Sequence, residues 1–251
     1  MSLTATAGGL TPLDPPVQCH PAANRALHPD RPWVRTARIL AGLFVFAALV
    51  QKTFDATLPG NDVDVPQLYS EFTVQGNLGF GLVLLLSAAR RRSRLPLWWD
   101  HLFGALVLYL VMTGIIYVVL VAPPGEPWWT WDLYWPQLVH HRLAPLVAAL
   151  DWLLVTRTVR GSWRRPLTWL GYPLAFLVFS WIRGGIDGWY VYDFLDPTLD
   201  GGWARVLGGT TQVLIAFLAV SAAVHAAGNV RAALAAGKPP TSKAARSSPS
   251  S

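Results

Sequence analysis

Six apolar stretches, separated by polar or charged residues, constrain the fold of this chain more than any other feature. They cover residues 39–54, 72–89, 101–121, 135–155, 167–182 and 204–227. A helix needs about 20 mostly apolar residues to cross a bilayer, so only the shortest stretches are in question. With 53% hydrophobic and 14% charged residues among 251, the chain is too apolar for an ordinary soluble domain. We therefore predict an all-α fold, a polytopic transmembrane bundle of six helices.

The basic residues predict the orientation of this bundle. Sixteen of the 20 form four groups: Arg25, Arg31, Arg35 and Arg38; Arg90, Arg91, Arg92 and Arg94; Arg157, Arg160, Arg164 and Arg165; Arg231, Lys238, Lys243 and Arg246. These groups lie on one side of the membrane only if there are six spans. Cytoplasmic segments are enriched in Lys and Arg, so both termini are predicted to be cytoplasmic. The net charge of +6 then reflects topology and attraction to membrane lipids rather than nucleic-acid binding.

Composition divides the chain into three parts and argues against several kinds of site. Residues 1–32 and 229–251 are predicted to be disordered cytoplasmic tails around a six-span transmembrane domain at 33–228. Cys19 is the only cysteine, which excludes an intramolecular disulfide and a cysteine metal site. We predict no metal and no cofactor. The expected localisation is the bacterial inner membrane, as a multi-pass protein, and the oligomeric state is left open.

The fourth stretch contains ionisable residues at membrane depth. His140, His141 and Arg142 lie near its outer end, and Asp151 lies about three turns further along. Such residues usually face a bundle interior or a wet cavity and indicate a functional site, although side chains near a span end can also reach the headgroups. Asp151 is about 16 Å from His140 along a helix, too far to orient its ring, and is given a structural role.

A hydroxyl is predicted at the same depth as the two histidines. The second span begins at the outer face with Thr73, Gln75 and Asn77, and a four-residue spacing puts Thr73 and Asn77 on one helical face. A histidine that takes the proton of a hydroxyl makes it a usable nucleophile for acyl transfer. A proline four residues after His141 removes the hydrogen bond to its carbonyl and bends the helix there.

Three motifs then resemble one family. Residues 72–77 (FTVQGN), residues 141–154 (HRLAPLVAALDWLL) and residues 183–196 (RGGIDGWYVYDFLD) resemble the bacterial integral membrane proteins called Pr-six-Pr. More distantly, the chain is similar to the androgen-induced and androgen-dependent (FAR-AIG-like) membrane threonine hydrolases. That resemblance implies hydrolysis of fatty acid esters of hydroxy fatty acids by one intramembrane threonine and one histidine.

The resemblance places the catalytic threonine at Thr73. The bacterial pattern selects His141 as the histidine and the eukaryotic pattern selects His140, with a slight preference for His141. Gln75, Asn77 and Arg142 are the candidate substrate-binding residues, as oxyanion or carboxylate partners. The chain departs from the bacterial pattern at Gly76, which replaces a serine, and at Val191 and Asp193, which replace prolines.

Two other functions remain open from the sequence. The protein could be a non-catalytic membrane protein or a small-solute or proton carrier, with the histidines and Arg142 of the fourth span as a relay. It could also bind haem through His101 and His225, which lie near the cytoplasmic ends of the third and sixth spans, although solvated interfacial histidines are the favoured explanation of both positions.

Overall fold

The computed structural model describes residues 27–61, 63–96, 98–123, 125–127, 129–155 and 161–235. Within these ranges the fold is all-helical. Nine α-helices follow in chain order: α1 (Pro32–Asp55), α2 (Val65–Leu68), α3 (Phe72–Ala89), α4 (Trp99–Ile116), α5 (Trp135–Leu138), α6 (Ala144–Leu154), α7 (Arg165–Trp169), α8 (Gly171–Asp187) and α9 (Gly202–Ala235). Two π-turns, Tyr117–Val121 and Val139–Leu143, extend α4 and join α5 to α6.

Four of the helical segments are long and apolar enough to cross a membrane. They are Pro32–Asp55, Phe72–Ala89, Trp99–Val121 and Gly202–Ala233. They correspond to the first, second, third and sixth predicted spans, and they make the chain compatible with an integral membrane protein. The first is longer than the apolar stretch at 39–54, since Pro32, at its first turn, supplies a backbone angle that suits a helix start.

The fourth apolar stretch forms a helix interrupted in its middle. α5, the π-turn Val139–Leu143 and α6 follow without a gap, and Pro145 stands in the first turn of α6. A proline cannot donate to the carbonyl four residues earlier, so the predicted disturbance beside His141 takes the form of a wider turn. Gly114 of α4 packs against this point, since a Cβ there would lie 3.3 Å from the His141 carbonyl oxygen.

The last two apolar stretches differ from prediction at their ends. The fifth is divided at Leu170 into α7 and α8, and α8 ends at Gly188, whose φ of 73° allows the left-handed cap. α9 continues to Ala235, past the predicted boundary at residue 228, because its alanine-rich end favours helix and Asn229 donates to the Gly161 carbonyl. The predicted tails at 1–26 and 236–251 lie outside the described residues.

The helices pack around an aromatic core that places α3 at the centre. α3 lies between α1 and α4, with Phe80 against Phe103 at 6.1 Å between ring centroids. At its start, Phe72 contacts the rings of Tyr109, Tyr172, Phe176 and Phe217. The first turn of α3 is therefore fixed by side chains from α4, α8 and α9.

Candidate functional site

A cavity of about 250 Å³ lies beside the first turn of α3. α8 and α9 supply an apolar wall, which includes Leu174, Phe176, Leu177, Val213, Leu214 and Phe217. The polar side chains among the lining residues are Lys52, Glu71, Thr73, Thr113, Gln137, His141, Tyr192 and Thr210. A pocket that is mostly apolar with a few convergent polar groups is typical of small-molecule binding sites.

Thr73 and His141 both line this cavity. Thr73 stands at the second position of α3, and His141 is in the π-turn between α5 and α6. Both side chains are buried, at 6% and 7% exposure. The hydroxyl and the imidazole that were predicted to lie at one depth thus line the same cavity.

Several polar atoms along the cavity have no protein partner. They are Thr113 Oγ1, Gln137 Oε1, His141 Nδ1 and Thr210 Oγ1, each buried and without a hydrogen bond to any described residue. Unsatisfied buried polar groups are costly and rare in folded proteins. The cavity is therefore suited to a ligand that is largely apolar but has polar atoms along its length.

The ring of His141 is oriented by a stack of side chains. Tyr117 lies against it with 4.2 Å between centroids and 21° between planes. The Arg142 guanidinium also lies over the Tyr117 ring, 5.0 Å from its centroid, and pairs with Glu126 at 3.5 Å. The Tyr117 hydroxyl donates to the same Glu126 carboxylate at 3.1 Å. The two π-turns thus hold the His141 ring in a defined plane.

His140 lies behind the cavity wall. It is fully buried, is not among the residues that line the cavity, and neither ring nitrogen has a partner in the described part of the chain. Asn77 is equally buried; its amide donates to the Thr73 carbonyl at 2.9 Å and to the His140 carbonyl at 3.4 Å. Asn77 therefore joins α3 to the π-turn Val139–Leu143, through hydrogen bonds to the backbone of each.

The other two predicted substrate-binding residues also lie outside the cavity lining. Gln75 donates to the Tyr69 carbonyl at 2.9 Å and accepts a short hydrogen bond from the Tyr172 hydroxyl. Arg142 contacts Glu126 and Tyr117 as described above. Of the six candidate site residues, the structure places Thr73 and His141 at the cavity.

An ion pair that the sequence did not single out lies at the polar end of the cavity. Lys52 near the end of α1 donates to Glu71, directly before α3, at 3.3 Å. Burial raises the pKa of the Glu71 carboxyl, and the neighbouring Lys52 ammonium opposes that rise. The sequence contained a signal for this ion pair, because Lys52 is one of few basic residues on the acidic side of the predicted bundle.

The loop between α8 and α9 also lines the cavity and adds the hydroxyl of Tyr192 to it. Val191, Tyr192, Phe194 and Leu195 line the cavity from this loop. Tyr192 brings a phenol to this lining, and its ring packs against Phe194 with 5.3 Å between centroids and against Phe176 with 6.3 Å. No motif argument identified Tyr192, since the resemblance directed attention only to the replaced prolines beside it.

The two histidines considered for haem both contact Trp169. His101 lies 5.8 Å from the Trp169 ring and 3.3 Å from the Thr168 hydroxyl, and His225 lies 6.1 Å from the same ring. His225 also forms a 3.0 Å hydrogen bond with Asn229. The Trp169 indole therefore contacts both imidazoles. His101 also has the Thr168 hydroxyl as a polar neighbour, and His225 has Asn229.

No protein-family model, curated protein or solved structure matches this chain.

Proposed function

We propose that this protein is an intramembrane hydrolase of lipid esters, of the type that joins a fatty acid to a hydroxy fatty acid. Thr73 is the nucleophile and His141 is the general base. The observation that supports this proposal is that both side chains are buried and line the same mostly apolar cavity. The resemblance of three sequence motifs to the Pr-six-Pr and androgen-induced hydrolase families supports the same assignment.

The chemistry follows the usual course of acyl transfer. The Thr73 hydroxyl oxygen forms a bond to the ester carbonyl carbon while His141 takes the hydroxyl proton. Collapse of the resulting tetrahedral intermediate breaks the bond to the alcohol oxygen, and His141 returns the proton to this leaving group. A water molecule then attacks the acyl-Thr73 carbonyl, passes a proton to His141, and regenerates the free threonine.

The substrate has to be mostly apolar to enter this cavity. Leu174, Phe176 and Phe217 can surround an acyl chain, and the unsatisfied polar atoms of Thr113 and Thr210 can bind oxygen atoms of an ester. Burial of each methylene contributes about 0.8 kcal/mol, so chain length rather than polar contacts dominates binding. We expect short-chain esters to have a higher KM than long-chain esters.

The test is covalent labelling of the purified full-length protein with a fluorophosphonate probe. Thr73 attack on phosphorus, with loss of fluoride, leaves a stable adduct on its side chain. We expect labelling of the wild-type protein, retention in Thr73→Ser, and complete loss in Thr73→Ala. Thr53→Ala is the matched control, since it removes a threonine hydroxyl of α1 that bonds to the Leu49 carbonyl and lies outside the cavity lining, and it is expected to keep the label. Equal labelling of the wild-type protein and Thr73→Ala would contradict the proposal.

A carrier function is the second candidate, supported by the π-turns beside the cavity. Interrupted helices expose backbone groups and often mark solute sites in transporters. A carrier requires solute or proton flux in proteoliposomes that depends on His141 but not on Thr73. The combination of such flux with absence of fluorophosphonate labelling would favour this candidate over hydrolysis.

We further propose six membrane crossings with both termini in the cytoplasm of a bacterial cell. The helical segment from Trp135 to Leu154 contains 20 residues and α8 contains 17, which correspond to about 30 and 26 Å. These lengths approach the hydrocarbon thickness of a bilayer. They support a fourth and a fifth crossing in addition to the four long apolar segments.

Cysteine accessibility tests this topology in intact cells. In a Cys19→Ser background, we expect an impermeant maleimide to label Asp132→Cys and Asp200→Cys, which are exposed positions on the proposed outer side. Ser93→Cys and Ser162→Cys are exposed on the proposed cytoplasmic side and should react only after permeabilisation. Labelling of all four positions in intact cells would contradict the six-span arrangement.

A further inference from the structure

The mostly apolar cavity contains a largely buried ion pair. Lys52 is in the last turn of α1, and Glu71 stands directly before α3. The Lys52 Nζ donates to a Glu71 carboxylate oxygen at 3.3 Å, and both residues line the cavity. Their side chains are only 13% and 19% exposed, so both charges are largely removed from water. A ligand in this cavity therefore meets an ammonium and a carboxylate as well as apolar side chains.

The ion pair leaves donors of Lys52 available to a ligand. An ammonium has three N–H donors, and Glu71 is the acceptor that the described residues provide for one of them. Their contact of 3.3 Å is also longer than the distance of about 2.7–2.9 Å that is usual between an ammonium and a carboxylate. A charge removed from water needs further hydrogen bonds to offset the lost hydration. Lys52 can therefore bind a second acceptor that enters from the cavity.

The charge of the lining favours one kind of acceptor. Among the described residues that line the cavity, Lys52 is the one lysine or arginine. A phosphate group carries more than one negative charge near neutral pH, and clusters of arginine usually bind it. A carboxylate carries a single charge and has two acceptor oxygens. The single ammonium of this cavity therefore matches a carboxylate better than a phosphate.

We propose that Lys52 binds the free carboxylate of a long-chain lipid whose hydrocarbon part lies against the apolar side chains of the cavity. Leu174, Phe176 and Phe217 are among these side chains. The carboxylate can belong to a free fatty acid or to the hydroxy fatty acid part of an ester, whose own carboxyl group is not esterified. For the ester, the inference rests on the proposed hydrolase function. It then makes Lys52 a residue that binds the carboxylate while Thr73 attacks the ester group.

Glu71 has to accept a second carboxyl group close to its own. Burial raises the pKa of the Glu71 carboxyl, and the neighbouring Lys52 ammonium opposes that rise. When two carboxyl groups share a site, the state in which one of them holds a proton is favoured. One proton taken up with the ligand then leaves a single negative charge beside the Lys52 ammonium. The ion pair can therefore bind a carboxylate without leaving a net charge in the cavity.

The test measures displaceable binding of radiolabelled palmitate to the purified full-length protein in nanodiscs. We expect unlabelled palmitate to compete about tenfold or more better than methyl palmitate, since hydrogen bonds to a charged group contribute at least that factor. Hexadecyl phosphate should also compete less well than palmitate. This comparison uses the wild-type protein, so it does not depend on the folding of a variant. Equal competition by methyl palmitate, or better competition by hexadecyl phosphate, would overturn the carboxylate site.

Variants of the two charged residues assign the effect to the ion pair. Lys52→Met is expected to weaken palmitate binding about 10–100-fold without changing the binding of methyl palmitate, and Lys52→Arg should restore most of the affinity. Glu71→Gln removes the competing carboxylate and should bind palmitate at least as tightly as the wild-type protein. Thr53→Ala is the matched control, because it changes the next residue of α1, which lies outside the cavity lining. Equal palmitate binding by Lys52→Met and the wild-type protein would contradict the proposal.

The ester source is tested in Thr73→Ala, which should bind the ester without hydrolysing it. An ester of palmitate with hydroxystearate should displace palmitate from this variant, and the same ester with its free carboxyl group methylated should compete about tenfold less well. Equal competition by the two esters would overturn the ester source and leave free fatty acids as the ligand.

The hydrolase function and the carboxylate site can fail separately. If palmitate binding depends on Lys52 but the fluorophosphonate does not label Thr73, the hydrolase function is wrong and the carboxylate site stands. If Thr73 is labelled and palmitate binding does not depend on Lys52, the carboxylate site is wrong and the hydrolase function stands.

Discussion

Replacement of His141 by alanine is expected to lower kcat for ester hydrolysis by about 10²–10⁴-fold, the range that a positioned general base contributes. His141 lines the cavity with Thr73, and its plane is set by the Tyr117 ring. Without the imidazole, the Thr73 proton loses the base that the proposed mechanism assigns to it. The measurement is steady-state hydrolysis of a long-chain ester by purified protein, with KM expected to change little.

His140 provides the matched comparison, because it is the adjacent residue with the same side chain. Its ring is buried behind the cavity wall and is absent from the described cavity lining. We expect His140→Gln to keep kcat within about tenfold while lowering thermal stability, since a substituted core side chain disturbs packing. A larger kcat loss in His140→Gln than in His141→Ala would transfer the role of base to His140.

Addition of imidazole separates a lost base from a distorted site. His141→Ala leaves a space that free imidazole can occupy, and partial recovery of kcat with imidazole concentration is expected if proton transfer is the missing function. His140→Gln should show no such recovery. Failure of rescue combined with normal fluorophosphonate labelling in His141→Ala would show that His141 does not act as the base.

The helical fold could be predicted because apolar composition is a strong signal. Continuous apolar stretches define α3 and α4 within a few residues, since a bilayer requires every backbone group to bond within its own helix, whereas α9 continues past its predicted end. Helix interruptions were harder to predict. Pro145 indicated a disturbance beside His141, but a π-turn depends on how Gly114 of α4 packs against that carbonyl, which is a tertiary contact.

The sequence predicted how deep in the membrane the candidate site residues lie, but not which of their side chains face the cavity. Helix direction alone placed Thr73 and the histidines near one surface, and adjacent histidines on one span could not be distinguished without side-chain directions. The direction of each ring depends on the π-turn, which directs His141 to the cavity and His140 to the interior. The sequence could not predict that Tyr192 belongs to the candidate site, because its position depends on how the loop between α8 and α9 folds back onto α3.

Polar residues within the apolar stretches have two distinct roles. Asp151 was expected to be structural, and the structure pairs it with Arg38 of α1, a residue that had served only to indicate topology. Arg38 Nε and Nη2 donate to the two carboxylate oxygens at 2.7 and 3.0 Å. The guanidinium also lies 5.7 Å from the Phe103 ring. This pair joins α1 to α6 well away from the cavity.

Loss of the Asp151 carboxylate is expected to lower the free energy of unfolding by about 3–5 kcal/mol, because it leaves the Arg38 charge buried without its bidentate partner. Both side chains are almost inaccessible, at 4% and 8% exposure, so water cannot replace the carboxylate. The measurement is denaturant or thermal unfolding of Asp151→Ala in detergent micelles. Asp187→Ala is the matched control, since its i,i+4 pair with Arg183 is exposed at 42% on the acid, where water can replace the ion pair, and the free energy of unfolding should stay close to the wild-type value.

A double variant distinguishes a need for this ion pair from a need for any packed contact. Arg38→Met with Asp151→Leu removes both charges and keeps side chains of similar length, so it should recover most of the stability lost in Asp151→Ala. Because the pair lies outside the cavity lining, the double variant should also keep fluorophosphonate labelling of Thr73. Recovery of stability without labelling would mean that the contact between α1 and α6 also sets the geometry of the His141 turn, which directly precedes α6 in the chain.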